Sequence, residues 1–371
     1  MYLKLVVSLF ALLGVAQSNS TRLSEAKKVY GQAVRHFAGI EGRADEDRMP
    51  EVSLVSQNGV WYSNFTVGAS ENLELVISTG HSNLITFPGR YKPTDPSKRT
   101  GWGLTDLYGA GSPDGSGNPV AKCNVWTDVV SHRGVISDHR AAILTVGKQA
   151  VHVPTRNLNQ PAYFRDGLIG YARRWRDIYR ESPFFHQLCD GTLWWCRFGL
   201  ALKTDQTGKL YYGFLREDRF EGLLTTVPIT DEWQVRGSVT LNGDVSGVLY
   251  KDMALTTDSG LPVILGPLGQ VRSLFKMAGM QSVETDTFIT GYYNCSAPPE
   301  IGFEIGGTIF NVLPAALASS RDGDNCTASI HGSYSPGGWA LGQPFFQGKY
   351  IDHYVSKRTM GFANLKDAGS E

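Results

Sequence analysis

A four-residue motif occurs twice in this chain, with a serine in one copy and an aspartate in the other. Residues 77–80 read Ile-Ser-Thr-Gly and residues 257–260 read Thr-Asp-Ser-Gly, and each copy closes a run of strand-forming residues. Farther along the chain, each copy is followed by two apolar residues and a glycine, Leu168–Gly170 and Ala340–Gly342. The repeat constrains the fold more than any other feature, because it predicts two lobes of one design.

Other short stretches extend this pattern over most of the chain and resemble the pepsin-like aspartic proteases. In that family each lobe contributes one Asp-Thr/Ser-Gly loop, threaded through a strand pair that ends in two apolar residues and a glycine. Six stretches stand in the family's order: Phe65–Gly68, Asp166–Gly170, Pro183–Phe185, Ile264–Pro267, Trp339–Gly342 and Met360–Ala363. The resemblance covers roughly residues 52 to 363.

The resemblance implies an all-β, bilobal fold with two pseudo-twofold-related lobes and a central cleft. Val227–Asp231 resembles the family's crossing between lobes, so we assign residues 51–229 to the N-terminal lobe and residues 230–371 to the C-terminal lobe. β-Branched and aromatic enrichment predicts strands, and weaker periodic signals predict helices. The predicted strands are Val60–Val67, Leu73–Ile77, Ile143–Val153, Leu210–Phe214, Val239–Leu241 and Phe303–Phe310, and the predicted helices are Pro183–Leu188, Leu268–Ala278 and Pro314–Ser319.

The N-terminal region suits a protein made for export. Residues 1–18 contain Lys4, then an apolar run, then Gln17 and Ser18, which is the form of a secretory signal peptide. Residues 19–50 carry six basic side chains where the family has an activation segment; a solvated N-terminal helix or tail is the alternative. No later stretch reaches the roughly 18 consecutive apolar residues of a membrane span. We therefore expect a secreted, extracellular monomer with no membrane partner.

Charge and motif content argue against several classes of function. The 35 Lys and Arg residues balance 35 Asp and Glu residues, so no net field favours nucleic acid. Arginines alternate with aromatic residues between Tyr163 and Glu181, but the acids among them favour a partner-binding face over a nucleic-acid site. No Cys-x-x-Cys, His-rich spacing or phosphate-binding loop appears, so we expect no metal and no cofactor.

The five cysteines fit an oxidising compartment if four of them pair. Cys189 and Cys196 are close enough along the chain to pair across a short loop. The resemblance implies a second bridge between Cys295 and Cys326, which leaves Cys123 over. Three Asn-x-Ser/Thr sequons in the body of the chain predict N-glycosylation, at Asn64, Asn294 and Asn325.

Ser78 stands where the family has the first of its two catalytic aspartates, and Asp258 stands at the second. Hydrolysis in this family uses two carboxylates that share one proton, one taking a proton from water while the other donates to the carbonyl oxygen. A serine hydroxyl is not acidic at any working pH, so it can orient a water but cannot replace the acid or base. The sequence therefore predicts a defective catalytic dyad of Asp258 and Ser78.

The residues around the two motifs are partly retained and partly altered. In the family, the residue after each aspartate bonds reciprocally across the lobes. The retained residues are assigned to support of the cleft: Thr79, Gly80, Ser259 and Gly260. His81 and Leu261 stand where the family has a serine or threonine that bonds the carboxylate. Two interpretations of His81 stay open, because it either turns into the substrate cleft as a partner for Asp258 or is satisfied by loop backbone.

The family also carries a Tyr-Gly-x-Gly hairpin that closes over the substrate. The stretch before Gly134, Asn124–Arg133, has neither the tyrosine nor the glycines, so it predicts an altered hairpin. Trp126 is interpreted either as standing near the tyrosine's place in the substrate cleft or as an ordinary packed aromatic.

These observations predict a pepsin-like homologue that binds a peptide or protein ligand in the interlobe cleft and has lost efficient proteolysis. A weak acid endopeptidase that uses Asp258 with an unconventional partner is the alternative. A third hypothesis is binding of an inhibitor or a carbohydrate by the outer surface.

Overall fold

The structure is a computed structural model. It describes residues 50–57, 59–106, 120–136, 140–155, 165–172, 182–193, 195–231, 233–243, 248–286, 288–334 and 337–369. The signal peptide predicted for residues 1–18 lies outside the described residues, and so does the activation segment predicted for residues 19–50, apart from Pro50. Within the arginine-rich stretch, only residues 165–172 are described.

The described strands form two large sheets, which confirms the predicted all-β, bilobal fold class. The first sheet has 13 strands: β1 (Glu51–Gln57), β2 (Val60–Val67), β3 (Ser70–Ser78), β4 (Leu84–Thr86), β5 (Arg99–Asp106), β6 (Val120–Val135), β7 (Ala141–Pro154), β8 (Gly167–Gly170), β9 (Arg197–Leu202), β10 (Thr207–Tyr212), β11 (Thr225–Pro228), β22 (Lys349–Tyr354) and β23 (Thr359–Asn364). The second sheet has 10 strands: β12 (Gln234–Leu241), β13 (Val248–Thr257), β14 (Ile264–Pro267), β15 (Gln281–Glu284), β16 (Phe288–Asn294), β17 (Ile301–Ile305), β18 (Thr308–Asn311), β19 (Ala318–Asp322), β20 (Asn325–Ser333) and β21 (Trp339–Leu341).

Four α-helices are described, and they connect strands at the margins of the sheets. They are α1 (Phe184–Cys189), α2 (Leu268–Met277), α3 (Pro314–Leu317) and α4 (Gln343–Phe346). The predicted helices Pro183–Leu188 and Leu268–Ala278 are confirmed to within one residue at either end. The third predicted helix, Pro314–Ser319, is shorter than expected because the chain enters β19 at Ala318. The described residues also include two short 3₁₀ helices, at Pro96–Lys98 and Glu217–Arg219.

The same threading occurs once in each sheet, as the repeated motif predicts. β3 runs parallel to β8, with Ser78 opposite Gly170, and β13 runs parallel to β21, with Thr257 opposite Leu341. Both apolar-apolar-glycine stretches need their glycine, because a Cβ on Gly170 would collide with the carbonyl of His81. A Cβ on Gly342 would likewise collide with the carbonyl of Leu261. Each glycine therefore lets the loop after one motif copy lie directly against the strand end.

One predicted strand is wrong in its extent. The sequence pattern predicts a single strand over Phe303–Phe310, but the structure divides this segment between β17 and β18, which pair with each other as a hairpin. Gly306 and Gly307 form the turn with φ of 58° and 83°, a conformation that other residues adopt at a cost. The turn explains the error, since the apolar pattern continues on both sides of it.

The last strands of the chain leave the second sheet. β22 pairs with β9, and β23 pairs with β22 and β11, so residues 349–364 belong to the first sheet. The two sheets therefore do not divide the sequence at a single position, and the lobe boundary near residue 230 stays a prediction.

Both predicted disulfides are present, Cys189–Cys196 and Cys295–Cys326. Cys123 is free and buried, and burial raises the pKa of its thiol to about 12. A thiol with so high a pKa is protonated at neutral pH and is a poor nucleophile.

Candidate active site

The two motif copies meet at the ends of β3 and β13. Ser78 is the last residue of β3, and Asp258 follows directly after the last residue of β13. The Ser78 hydroxyl donates a hydrogen bond to Oδ1 of Asp258 at 3.0 Å, and the two residues are 1% and 2% exposed. The structure thus brings both predicted site residues into contact across 180 positions of sequence.

Thr79 and Ser259 join the two loops with four hydrogen bonds. The amide of Thr79 donates to Oγ of Ser259 at 3.1 Å, and the amide of Ser259 donates to Oγ1 of Thr79 at 3.0 Å. Each hydroxyl then donates to a carbonyl of the opposite strand, Thr79 to Thr257 at 3.1 Å and Ser259 to Ile77 at 2.7 Å. Both hydroxyls therefore act as donor and acceptor at once, which satisfies buried backbone groups that would otherwise cost stability.

Three donors converge on one oxygen of Asp258. Besides Ser78, the amides of Gly80 and Gly260 donate to Oδ1, at 3.1 Å and 2.8 Å. Hydrogen bonds to an ionised carboxylate are about twice as strong as neutral ones. The glycines are also needed for space, because a Cβ on Gly80 would strike the Asp258 carboxylate and a Cβ on Gly260 would lie 2.6 Å from Oγ of Ser78. Each loop thus packs its glycine against the functional side chain of the other.

His81 turns towards Ser78. Nδ1 of His81 lies 2.9 Å from Oγ of Ser78, so this one hydroxyl touches an imidazole on one side and a carboxylate on the other. A serine has a single proton, and an ionised carboxylate only accepts. When Ser78 donates to Asp258, its oxygen is therefore left to accept from Nδ1–H of His81. The result is a continuous chain of hydrogen bonds from His81 through Ser78 to Asp258.

Leu261 stands at the same point of the second loop and behaves differently. Its side chain is buried and packs with Leu265 and Ala340 in a small apolar cluster. Its amide donates to the backbone carbonyl of Asp258 at 3.1 Å, so the position shapes the loop without bonding the carboxylate. The two loops consequently differ after the glycine, where one presents a titratable ring and the other an apolar side chain.

The hairpin expectation is corrected by the topology. The stretch Asn124–Arg133 is not a hairpin tip but the middle of β6, which pairs with β5 on one side and β7 on the other. β5 ends at Asp106 and its antiparallel partner β6 begins at Val120, and residues 107–119 between them are outside the described residues. Tyr108-Gly109-Ala110-Gly111 falls in that connection and has the Tyr-Gly-x-Gly order. The motif itself was the signal that sequence reasoning missed.

Trp126 therefore lies in the stem of this hairpin. It pairs across the sheet with Arg99 and Val151, and its ring packs edge-on against Tyr91 at 5.7 Å. The guanidinium of Arg99 lies over the same ring at 6.0 Å. Trp126 is thus a packed aromatic within β6, and its assignment to the substrate cleft stays a prediction.

A cavity of about 700 Å³ opens elsewhere on the first sheet and is lined by neither Ser78 nor Asp258. Its walls include exposed Val55 and Ile143 and the sequon asparagine Asn64. Among the described residues, no cluster of three or more His, Cys, Asp or Glu side chains could hold a metal ion. No helix in that part of the chain is long and apolar enough to cross a bilayer.

Comparison with known proteins agrees with this architecture. A family model described as eukaryotic aspartyl protease matches residues 110–365. The aspartic protease of Phaffia rhodozyma is 26% identical over 365 residues, covering 91% of this chain and 85% of the relative. Secreted aspartyl protease 1 of Malassezia globosa is 24% identical over 331 residues, covering 87% and 77%. The chain belongs to the eukaryotic aspartyl protease family.

A solved structure supports the same fold. The crystal structure of the aspartic proteinase from Irpex lacteus superposes with a TM-score of 0.69 at 17% sequence identity, covering 86% of this chain and 98% of that one. The likeness holds although few residues are shared, so it reports on the fold.

Proposed function

We propose that Ser78 replaces the first catalytic aspartate and that this protein is a peptide- or protein-binding homologue in which proteolysis is lost or strongly reduced. The observation that carries the proposal is the 3.0 Å hydrogen bond from the Ser78 hydroxyl to Oδ1 of Asp258. A hydroxyl and a carboxylate face each other where the reaction needs two carboxylates. The ligand is a peptide segment in the cleft between the lobes.

The expected loss of hydrolysis follows from proton transfer. Water attack on an amide needs one group to take a proton from water and a second to give a proton to the carbonyl oxygen. Each such group contributes roughly 10²- to 10⁴-fold in rate, or about 3 to 5 kcal/mol of the barrier. Ser78 has no acidic proton, so Asp258 is the only acid of the two facing side chains.

The intact scaffold supports a remaining binding role. Thr79 and Ser259 still join the loops, and Gly80 and Gly260 still leave room for the opposite side chains. Residues 108–111 keep the Tyr-Gly-x-Gly order that closes over substrates in the family. The features that hold a peptide are therefore preserved, while the group that activates water is missing.

The test combines binding with cleavage. A peptide with a secondary hydroxyl in place of one amide should bind the protein in a calorimetric titration at neutral pH. A diverse peptide mixture should give no more cleavage products with the wild type than with the Asp258→Ala control. Absence of binding would contradict the ligand-binding proposal. Cleavage products that form with the wild type but not with Asp258→Ala would favour the second candidate below.

The second candidate is a weak endopeptidase in which His81 acts through Ser78. The observation that favours it is the 2.9 Å contact between Nδ1 of His81 and Oγ of Ser78. Asp258 would take a proton from the attacking water, whose oxygen bonds the carbonyl carbon. Ser78 would give its proton to the carbonyl oxygen and receive one from protonated His81.

Collapse of the tetrahedral intermediate would complete this cycle. The C–N bond breaks, the amine takes the proton held by Asp258, and the hydroxyl proton of the intermediate returns to His81 through Ser78. Activity should then be lost in Asp258→Ala and fall roughly 10²-fold in His81→Gln. Unchanged hydrolysis by folded His81→Gln would end this candidate.

Export and domain organisation are further parts of the proposal. The two disulfides, the sequons and the similarity to secreted aspartyl protease 1 of Malassezia globosa support a secreted, extracellular protein. We propose a signal peptide at residues 1–18, an activation segment at residues 19–50, lobes at 51–229 and 230–371, and a monomer. Sequencing the N-terminus of the protein recovered from culture medium tests the first two, since an intact Met1 would contradict them.

A further inference from the structure

Two glycosylation sequons face each other across one strand pair. Asn294 ends β16 and Asn325 begins β20, and the two are direct cross-strand partners. Both are exposed, so their side chains lie on the same solvent-facing side of the sheet. Directly opposed residues in an antiparallel pair have Cβ atoms about 5 Å apart.

The disulfide of the second sheet runs through the middle of both sequons. Residues 294–296 read Asn-Cys-Ser and residues 325–327 read Asn-Cys-Thr, and the two central cysteines are the bonded pair Cys295–Cys326. The pairing continues past the bridge, since the amide of Cys295 donates to the carbonyl of Asp324 at 2.9 Å. Forming the bridge therefore fixes both acceptor asparagines in a closed strand pair.

The two sequons meet this bridge at different times. Cys326 follows Cys295 by 31 residues, so Asn294 enters the secretory compartment before its cysteine has a partner. Asn325 enters the secretory compartment together with Cys326. Cys295 is already in that compartment by then, so the Cys295–Cys326 disulfide can form at once. Bridge closure consequently competes with modification of Asn325 but not with that of Asn294.

We propose that Asn294 carries an N-linked glycan and that Asn325 stays bare, because the Cys295–Cys326 bridge closes over the second sequon before it is modified. The proposal rests on the proposed export of the chain. Asn294 in the folded protein is the exposed last residue of β16, where its Oδ1 accepts from the amide of Ser296 at 3.0 Å and from the Ser296 hydroxyl at 2.8 Å. A bulky glycan at this exposed strand end projects into solvent.

The test measures occupancy at each sequon by mass spectrometry, after full-length protein is made in a eukaryotic secretory host and its glycans are removed enzymatically in ¹⁸O water. We expect Asn294 to be modified in most molecules and Asn325 in few. Asn64 serves as the internal reference, because it lies in β2 away from this bridge. Reading the endoplasmic-reticulum fraction as well as the medium keeps the test valid for variants that are not secreted.

Two variants separate the bridge from simple crowding. Cys295→Ser keeps residues 294–296 a sequon and leaves 325–327 untouched, so Asn325 occupancy should rise severalfold. A reducing agent added during synthesis should raise it in the wild type too. Asn294→Gln removes the neighbouring glycan but not the bridge, so Asn325 should stay low.

Several outcomes overturn the proposal. High occupancy at both asparagines in the wild type would do so, as would low Asn325 occupancy in Cys295→Ser. A rise at Asn325 in Asn294→Gln alone would assign the effect to crowding. An unmodified Asn294 together with a modified Asn64 would refute this proposal but would agree with the proposed export. If Asn64, Asn294 and Asn325 were all unmodified, both this proposal and the proposed export would be contradicted.

Discussion

The loop after β3 and the loop after β13 share their framework but not their chemistry. Each contributes one hydroxyl residue that bonds the other loop and one glycine that makes room for the opposite side chain. Only the second loop presents a carboxylate, and only the first presents an imidazole. The hydroxyl and glycine residues that join the loops are thus present in both copies, although the side chains that could transfer protons differ between them.

Acid should weaken the first sheet more than the second. Burial lowers the pKa of His132 and His353 to about 3, and that of His152 and His331 to about 4, from an ordinary 6.5. Three of these four histidines lie in β6, β7 and β22 of the sheet that carries Ser78. The unfolded chain takes up protons below about pH 6.5 while the folded chain does not, so stability falls as pH drops from there towards 3.

The expected loss is large and measurable. Each buried histidine contributes roughly 3 to 5 kcal/mol to this loss of unfolding free energy. The summed loss is comparable with the whole stability of a domain. Urea midpoints recorded in steps from neutral to acid pH should therefore fall steeply. His353→Leu, which removes one titrating ring, should flatten the slope; a midpoint independent of pH would contradict the argument.

Restoring a carboxylate should make the two loops chemically alike. Ser78→Asp puts an acid against Oδ1 of Asp258, and like-charge proximity would make the pair share a proton. Peptide hydrolysis in mildly acidic buffer, where the chain is still folded, should rise roughly 10²- to 10⁴-fold. Ser78→Asn is the matched control, with similar shape and no acid. Continued silence of a folded Ser78→Asp protein would mean that the loss lies elsewhere in the cleft.

Alanine at the two glycines should reveal an asymmetry between the loops. Gly80→Ala drives a methyl group into the carboxylate of Asp258, which three hydrogen bonds hold in place. Gly260→Ala meets Oγ and Cβ of Ser78, 2.6 and 2.7 Å away, and Oδ1 of Asp258 only at 3.3 Å. We expect Gly80→Ala to cost about 3 kcal/mol of unfolding free energy and Gly260→Ala less. Gly147→Ala, with no atom within 4 Å of its Cβ, is the control; a larger cost at Gly260 would reverse the comparison.

Removing the hydroxyl of Thr79 or of Ser259 should lower the free energy of unfolding less than the changes above, and by similar amounts in the two loops. Thr79→Val and Ser259→Ala each leave one buried amide without its acceptor, which costs about 1 to 2 kcal/mol. The double variant should cost less than the sum, because the four bonds form one unit. Chemical denaturation of the three proteins measures this coupling. Strict additivity would indicate that the two loops are not joined through these residues.

Short-range patterns foretold the parts of the fold that depend on local rules. The two motif copies and the apolar-apolar-glycine stretches mark positions where backbone and side chain must approach closely, so their residue types are narrowly restricted. Strand β2 and helix α2 also follow from local sequence, and their predicted limits agree with the structure.

Long-range pairing was harder to foresee. Nothing local in Lys349–Tyr354 indicates that it pairs with β9 rather than within the second sheet. The His81 side chain had two plausible orientations, and only the folded loop selects the one that reaches Ser78. The hairpin was assigned to the wrong segment because strand β6 is long, and its own tyrosine motif lies well before Gly134.

The return of β22 and β23 to the first sheet determines how the polypeptide can be divided. A fragment that stops near residue 230 would lack β22, which pairs with β9, and β23, which pairs with β22, so the backbone edge of β9 would be open over Arg197–Leu202. Such an uncovered edge invites pairing between copies. A fragment that ends near residue 230 should therefore aggregate when expressed alone. It should become soluble only when the β22–β23 hairpin is supplied as a separate chain.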